Sequence, residues 1–272
     1  MASSNPLTKR PLLIGMVHLE PLPGAPHAHP TPRVTIPSWE RRAVRDAETL
    51  VAAGFRAILV ENYGDAPFFK DAVPAHTIAA MTRACAAVRE ALPASVAVGV
   101  NVLRNDALGA IAVAAAAGLD FIRVNVLNGA VATDQGVIEG KAAEVLRQRA
   151  ALAPDVKIFA DVRVKHASPL APRPLDQEVH DLVHRGGADA VIVSGQRTGL
   201  HVDLDELDEV QRAAGDALVL IGSGASKETI ARLLEGADGA IVGTSIKRGG
   251  VTTNPVDKRR AEAFLRATIT RR

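Results

Sequence analysis

Short apolar segments alternate with longer amphipathic segments along the whole chain. The short segments have the length and apolar character of buried strands and lie at 12–18, 57–61, 96–101, 121–125, 157–162, 190–194, 218–222 and 239–243. The amphipathic segments predict helices near 38–53, 76–92, 106–117, 138–152, 175–185, 203–213, 226–234 and 256–266. Eight strand–helix units predict an α/β protein whose parallel strands close into a (β/α)8 TIM barrel, and a doubly wound open sheet is the alternative.

The ends of the predicted helices support this alternation. Glycine follows four of them where the chain turns towards a strand, at Gly54, Gly118, Gly186 and Gly236. Ser226 and Asn254 lie where N-caps are expected, and Pro255 follows at a favoured first helical position. No long linker or low-complexity segment interrupts the pattern, so we expect one TIM-barrel domain over 1–272.

The composition is that of a globular protein with little net charge. The chain has 272 residues, of which 47% are hydrophobic, and 32 basic against 30 acidic residues give a net charge of +2. This apolar content argues against disorder, and so small an excess of charge predicts no nucleic-acid partner. Cys85 is the single cysteine, which excludes an intrachain disulfide and a cysteine-based zinc cluster.

The chain carries no segment that predicts a membrane span or secretion. The longest apolar run covers residues 107–119, and its 13 residues are too few to cross a bilayer. The apolar stretch near the start is not followed by the small residues of a signal-peptide cleavage site. We therefore expect a cytoplasmic protein, and the sequence leaves open whether it is a homo-oligomer.

Two glycine-containing turns follow the last two predicted strands. Their candidate phosphate-binding residues are Gly222, Ser223, Gly224, Gly243, Thr244 and Ser245. Many TIM barrels bind phosphate at these two positions, because glycine lets backbone N–H groups approach an anion and a nearby helix N-terminus adds partial positive charge. Lys247 could add a cation. The turns predict a phosphorylated small-molecule ligand, and tight turns without a ligand are the alternative.

Polar side chains lie at the carboxyl ends of six predicted strands. They are His18, Glu61, Asn62, Asn101, Arg123, Asn125, Asp161 and Ser194, and Lys165 follows the fifth strand. A barrel interior is normally filled by branched apolar side chains, so charges there are costly unless they are paired or functional. These residues predict a ligand-binding mouth. Glu61, Asp161 and Lys165 are the catalytic candidates, and the others are candidates for binding the substrate.

Three predicted strand-to-helix loops are long, at 19–37, 126–137 and 164–176. Six prolines stiffen the first loop, whereas Gly129 and Gly136 bracket a polar stretch in the second. In a TIM barrel these loops lie at the end where the chemistry takes place. We expect them to close over a bound substrate, and surface loops without a function are the alternative.

The sequence predicts neither a cofactor nor a metal site. His27 and His29 lie in the first long loop near His18 and Glu20, but the four residues lack the fixed geometry of a metal centre. Solvent-exposed histidines are therefore the favoured interpretation. The chain also has no G-x-S-x-G elbow and no order of Ser, His and Asp that would indicate a serine hydrolase.

Several long motifs resemble those of the BtpA family, which includes SgcQ-like proteins. The resemblance begins in the segments 14–19 and 21–26 and continues in 60–68, 99–103, 121–125, 134–136 and 164–167. Ser194 and Gly195, Thr198 and Gly199, and the two glycine turns complete it. Glu20 departs from the apolar residue that many relatives carry there, so a role for the first loop does not follow from the resemblance.

The resemblance implies a phosphate-binding TIM barrel but two different classes of function. The family takes its name from photosystem I biogenesis in cyanobacteria, where the protein associates peripherally with thylakoids. A nucleosidase activity is ascribed to its SgcQ-like branch, which occurs with sugar-metabolism genes. The resemblance does not choose between the two.

The polar mouth favours an enzyme over an assembly factor. An assembly factor has no need of charged groups inside a barrel, and no basic amphipathic helix for a membrane surface is evident. We expect a nucleosidase or a sugar-phosphate lyase or isomerase that uses Asp161 or Glu61 as general acid/base. A Schiff base on Lys165 is the competing mechanism. A further alternative is that Asp161 and Lys165 only neutralise each other.

Overall fold

The computed structural model describes residues 6–29, 36–194 and 203–269. Parts of two sequence motifs lie outside these ranges. They are Pro30 and Pro32 of the first long loop and the Gly195, Thr198 and Gly199 portion of the family resemblance.

Eight parallel strands close into a barrel, which confirms the TIM-barrel prediction and excludes the open sheet. The barrel strands are β1 (Leu12–His18), β2 (Ala57–Glu61), β3 (Ala97–Asn101), β4 (Phe121–Val124), β7 (Lys157–Val162), β9 (Ala190–Ser194), β10 (Leu218–Ser223) and β11 (Gly239–Val242). They neighbour one another in the order β1-β2-β3-β4-β7-β9-β10-β11, and β11 pairs with β1 to close the ring. Three further short strands lie outside the barrel: β5 (Ala130–Thr133), β6 (Gly136–Glu139) and β8 (Ala167–Pro169).

Helices surround the barrel: α1 (Ser38–Ala53), α2 (Ala75–Ala91), α3 (Ala107–Ala117), α4 (Ala142–Leu152), α5 (Leu175–His184), α6 (Leu204–Ala214), α7 (Ile230–Leu233) and α8 (Lys258–Ala267). Gly54 and Gly118 end α1 and α3 in the left-handed conformation, as predicted. None of the helices within the described ranges has both the length and the apolar character required to cross a bilayer.

Two predicted N-caps are wrong. The carboxylate of Asp257, rather than Asn254, accepts the backbone N–H of Arg260 at the start of α8. The predicted helix 226–234 is reduced to the four residues of α7. Ser226 lies before it in a turn, where its backbone N–H donates to Oγ1 of Thr229 at 3.0 Å. The local hydrogen bonds that make serine a good cap also stabilise such turns.

Two predicted loops instead form a small antiparallel sheet outside the barrel. It consists of β5 (Ala130–Thr133), β6 (Gly136–Glu139) and β8 (Ala167–Pro169), in the order β6-β5-β8. We refer to it as the loop sheet. The predicted helix 138–152 consequently begins later, at Ala142, because its first residues pair with β5. The loop sheet joins the segments that follow β4 and β7 at the carboxyl ends of those strands.

The interior of the barrel is filled by alternate residues of the strands. Ile14 and Met16 of β1 belong to one buried cluster with Phe121 and Phe159, whose rings stack with centroids 4.7 Å apart. Gly99 of β3 leaves room for this stack, since a Cβ there would lie 2.4 Å from the Phe121 ring. The next inward-facing layer, towards the carboxyl ends of the strands, is polar.

Candidate functional site

The predicted strand-end residues form the last inward-facing layer of the barrel. Side chains alternate along a strand, so the residues two positions beyond the apolar core layer also face inwards. These residues are His18, Glu61, Asn101, Arg123, Asp161 and Ser194. Active sites of TIM barrels are built at this end. The structure thus brings six predicted site residues, one from each of six strands, to one mouth.

Glycines take the positions of this layer on the two remaining strands. A Cβ on Gly222 would lie 2.6 Å from Oγ of Ser194, and one on Gly243 would lie 2.8 Å from Cε1 of His18. Both distances are shorter than real Cβ contacts allow. These two glycines therefore make room for the polar side chains, in addition to any role that their backbone has towards an anion.

A buried ion pair lies at the centre of the mouth. Arg123 donates from Nε to Oδ2 of Asp161 at 3.0 Å and from Nη2 to Oδ1 at 2.8 Å. Burial lowers the pKa of Arg123, but the charge of Asp161 and its hydrogen bonds outweigh this, so the pKa is raised. Asn125 donates to Oδ2 of Asp161 at 3.2 Å, and Asn101 donates to Oδ1 of Asn125 at 3.2 Å. Asp161 thus pairs with Arg123 and not with Lys165, contrary to the pairing that the sequence left open.

Glu61 and His18 lie beside this pair. Oε1 of Glu61 is 3.7 Å from Nε2 of His18, and both side chains are more than nine-tenths buried. Burial raises the pKa of Glu61 to about 7, with the positive charge of Arg123 opposing the shift and the negative charge of Asp161 adding to it. Burial, and then the positive charges of Lys247 and Arg123, lower the pKa of His18 to about 3, and the Thr252 backbone partly offsets this. At neutral pH the histidine is therefore uncharged, and the carboxyl can gain or lose a proton.

Three buried polar atoms in the mouth lack hydrogen-bond partners among the described residues. They are Nδ1 of His18, Oδ1 of Asn101 and Oγ of Ser194. An unsatisfied buried polar group costs about 1–3 kcal/mol, so an atom without a protein partner usually bonds to water or to a ligand. A ligand with hydroxyl groups would supply that partner.

Lys165 lies at the glycine turn after β10. Its Nζ donates to Oγ of Ser223, and its side chain is half-buried. Burial and the charge of Arg123 lower the pKa of Lys165, while the charge of Asp161 opposes them. Gly224 follows with a φ of 83°, in the left-handed region that favours glycine. The structure therefore places an ammonium group, a hydroxyl and a glycine turn together.

The turn after β11 is held to its neighbours rather than open. Oγ of Ser245 donates to the backbone oxygen of Ala225 at 3.0 Å, which joins the two glycine turns. The hydroxyl of Thr244 shares a hydrogen bond of 2.8 Å with that of Thr252. The helix after the other glycine turn, which follows β10, is α7, and its four residues are too few for a strong dipole, so the described part of the chain supplies no strong helix N-terminus there.

The expectation that Lys247 adds a cation to the phosphate site is wrong. Lys247 is fully buried, and its Nζ lies 3.2 Å from Oδ2 of Asp46 on α1. Oδ1 of Asp46 accepts the backbone N–H of Val256 at 2.9 Å. The pair therefore fastens the segment after β11 to α1.

Asn62 also has a role within the fold. It accepts the backbone N–H of Leu103 at 2.7 Å and donates to Oδ2 of Asp65 at 3.1 Å. Its amide thus connects the loops after β2 and β3, next to Glu61. His27 and His29 are exposed in the first long loop.

Arg104 and Tyr63 were missed by reasoning from the sequence. Arg104 donates from Nη2 to the backbone oxygen of Lys165 at 2.6 Å. Burial lowers its pKa, and the charge of Asp161 opposes this. The ring of Tyr63 lies 5.0 Å from that of His18. Tyr63 lies two positions beyond Glu61 and Arg104 three positions beyond Asn101, and this closeness to the strand ends is the available signal.

A cavity of about 840 Å³ opens beside the mouth, under the loop sheet. Asn125, Asp161 and Lys165 line its inner end. Of the polar layer, Asp161 borders the cavity, and Lys165 links the cavity to the glycine turn after β10.

Solved structures of low sequence identity have the same fold. Phosphoribosyl anthranilate isomerase from Thermus thermophilus has a TM-score of 0.57 at 13% identity, over 96% of this chain and 100% of that one. KGPDC from Streptococcus mutans has a TM-score of 0.60 at 13% identity, over 96% and 98%. N-acetylmannosamine-6-phosphate 2-epimerase from Clostridium perfringens has a TM-score of 0.54 at 15% identity, over 88% and 89%. These likenesses establish the TIM-barrel fold.

Sequence relatives cover almost the whole chain. An uncharacterised protein of Methanocaldococcus jannaschii is 44% identical over 260 residues, which are 96% of each chain. The photosystem I biogenesis protein BtpA of Synechocystis is 44% identical over 255 residues, which are 94% of this chain and 87% of that one. A model of the BtpA family matches residues 8–270. The chain therefore belongs to the BtpA family.

Proposed function

We propose that the protein is an enzyme that acts on a phosphorylated sugar or nucleoside-type substrate by general acid/base catalysis in the barrel mouth. One observation carries the proposal: the Glu61 carboxyl is buried at the mouth, next to an uncharged histidine, and its pKa is raised to about 7. A group with a pKa near the working pH is the most effective acid/base catalyst. Burying a carboxyl is costly, and folding alone does not require it.

The phosphate end of the substrate belongs at the turn after β10. Lys165 and Ser223 supply an ammonium group and a hydroxyl there, and Gly224 lets the backbone approach closely. Hydrogen bonds between charged partners are among the strongest in proteins. The fold neighbours named above include enzymes whose names specify a phosphoribosyl or a 6-phosphate substrate, which supports the same class of ligand.

The sugar would lie over the centre of the mouth. Asn101 and Ser194 have free polar atoms that can bond its hydroxyls. Both oxygens of Asp161 are already bonded to Arg123 and Asn125, so we assign to Asp161 the orientation of the guanidinium rather than proton transfer. Arg123 then neutralises negative charge that develops on the substrate. Glu61 is the group that gives or takes the proton.

The competing Schiff-base mechanism requires Lys165 to act as the nucleophile. A nucleophilic lysine needs a neutral amine, and the lowered pKa of Lys165 is compatible with that. Its contact with Ser223, however, directs Nζ to the phosphate turn. Borohydride added during turnover should trap no adduct on Lys165. A stable adduct on Lys165 would instead indicate covalent catalysis through a Schiff base.

The test is turnover of a defined panel by the full chain. Ribose 5-phosphate, AMP and UMP are incubated with the protein, and products are followed by phosphorus NMR and chromatography. For the compound that reacts, Glu61→Gln should lower kcat by about 10²–10⁴-fold, while the Kd of that compound should change little. Glu144→Gln, an exposed position on α4, is the matched control. Undiminished turnover in Glu61→Gln, or a panel that neither binds nor reacts, would overturn the proposal.

A non-catalytic assembly factor is the second candidate, because one relative is named for photosystem I biogenesis. That function predicts binding to a membrane complex and no dependence on Glu61. An unchanged capacity of Glu61→Gln to support photosystem I in a cyanobacterium that lacks its own BtpA would favour it.

A further inference from the structure

The cavity beside the mouth is much larger than a sugar phosphate requires. It lies between the loop sheet, the segment 163–173 and α5, and its volume is about 840 Å³. Pockets of about 300–1,000 Å³ typically hold ligands of drug or cofactor size. A sugar held between Ser223 and Asp161 would reach only the inner end, where Lys165 and Asn125 form the wall.

The outer walls of the cavity are largely apolar. Aliphatic side chains and prolines line them: Val131, Val164, Leu170, Leu182, Pro169 and Pro172. Two charged lining residues are paired, since Arg163 donates to Oε2 of Glu178 at 2.9 Å. Arg173 likewise donates to Oδ2 of Asp181 at 2.6 Å. These walls favour an uncharged group over a second phosphate or carboxylate.

We propose that this cavity is a subsite for a planar, uncharged substituent on the sugar phosphate, such as a heterocyclic base. The inference rests on the proposed function for the position of the phosphate and sugar. Val131 of the loop sheet and Val164 line the space that the ring would occupy, and Lys165, which donates to Oγ of Ser223, marks the junction with the sugar phosphate. The substrate is then a nucleotide or a similar ring-bearing sugar phosphate, and not a simple sugar phosphate.

Isothermal titration of the full chain with AMP, UMP and ribose 5-phosphate tests the subsite. Burial of a ring against apolar walls should make AMP and UMP bind at least about tenfold more tightly than ribose 5-phosphate. Val131→Trp fills the cavity and should reduce their affinity to that of ribose 5-phosphate. Val137→Trp is the matched control, because Val137 is exposed on β6 and pairs with Ala132 rather than Val131. Leu170→Asp, at an exposed lining position, should weaken AMP binding without threatening the fold.

The outcomes separate this inference from the proposed function. If AMP, UMP and ribose 5-phosphate bind equally, or if Val131→Trp and Leu170→Asp leave AMP binding unchanged, the subsite is overturned and the proposed function stands. A third outcome is that adenosine binds, that Val131→Trp weakens this binding, and that ribose 5-phosphate does not bind. The subsite then stands and the phosphate site falls. If none of the four compounds binds, both fail.

Discussion

Nε2 of His18 lies 3.7 Å from Oε1 of Glu61, and the two groups are buried with pKa values shifted in opposite directions. Burial disfavours the charged form of each group, so the histidine becomes a weaker base and the carboxyl a weaker acid. Between about pH 3 and pH 7 both side chains are mainly uncharged. Their contact is therefore not an ion pair over most of this range.

The two shifts predict opposing effects of pH on stability. Glu61 has an ordinary pKa of 4.5 and a folded pKa of about 7, so the folded state retains a proton that the unfolded state has lost. Its contribution therefore falls as pH rises from 4.5 to 7. His18 has an ordinary pKa of 6.5 and a folded pKa of about 3, so its contribution falls as pH drops from 6.5 to 3. Between pH 4.5 and 6.5 the two groups change the free energy of unfolding with pH in opposite directions, and their effects cancel.

Single variants should reveal the pH dependence of stability that each group contributes. Relative to wild type, Glu61→Gln should gain stability with rising pH between 4.5 and 6.5, and His18→Gln should lose it, each by up to roughly 1.4 kcal/mol per pH unit. Urea unfolding at a series of pH values measures this difference. Parallel curves for wild type and both variants would show that the two groups are not shifted.

The Arg123–Asp161 pair predicts an asymmetry between single and double substitution. Asp161→Ala leaves a buried guanidinium unpaired and should cost about 3–5 kcal/mol of unfolding free energy. Arg123→Met combined with Asp161→Ala removes both charges and should recover most of that loss without restoring turnover. Chemical denaturation of the three proteins measures it. Equal stability of the single and double variants would mean that the pair is not coupled.

The sequence predicted the barrel well because its signals are local. Alternation along each strand places residues such as Asp161 and Arg123 on the inward face, and Gly54 and Gly118 mark helix ends by their backbone conformation. The pairing of β5 with β6 and β8 was missed, since these short strands are mostly exposed or only partly buried and lack the apolar run that marks the equally short barrel strands β4 and β11.

Partner choice within the mouth could not be read from the sequence either. Asp161 had both Lys165 and Arg123 within reach, and only the geometry of neighbouring strands shows that Arg123 binds it. Lys247 follows a glycine turn in the sequence, yet it is buried in an ion pair with Asp46 of α1. Such pairings depend on contacts between distant segments, which no local pattern encodes.

The glycine turn after β10 predicts a specific loss of phosphate binding. Gly224→Val adds a β-branched side chain at a φ of 83°, which strains the turn by about 1–3 kcal/mol and blocks the approach to its backbone. The barrel should remain folded, and the affinity for ribose 5-phosphate should be lost. Gly118→Val is the control, because Gly118 has a φ of 63° but ends α3 away from the mouth. Equal ligand affinity in both variants would place the phosphate elsewhere.

The loop sheet predicts a change in backbone protection when ligand binds. Gly129 and Gly136 flank β5 with positive φ values, which glycine adopts without strain. Val131 on the same strand lines the cavity, so a bound ligand would pack directly against it. Hydrogen exchange of residues 128–136 should slow when AMP is bound, because the ligand excludes water and holds the hairpin over the mouth. The amides of α3 should exchange at the same rate with and without AMP. Unchanged protection of the hairpin in the AMP-bound protein would make the loop sheet a fixed wall rather than a lid.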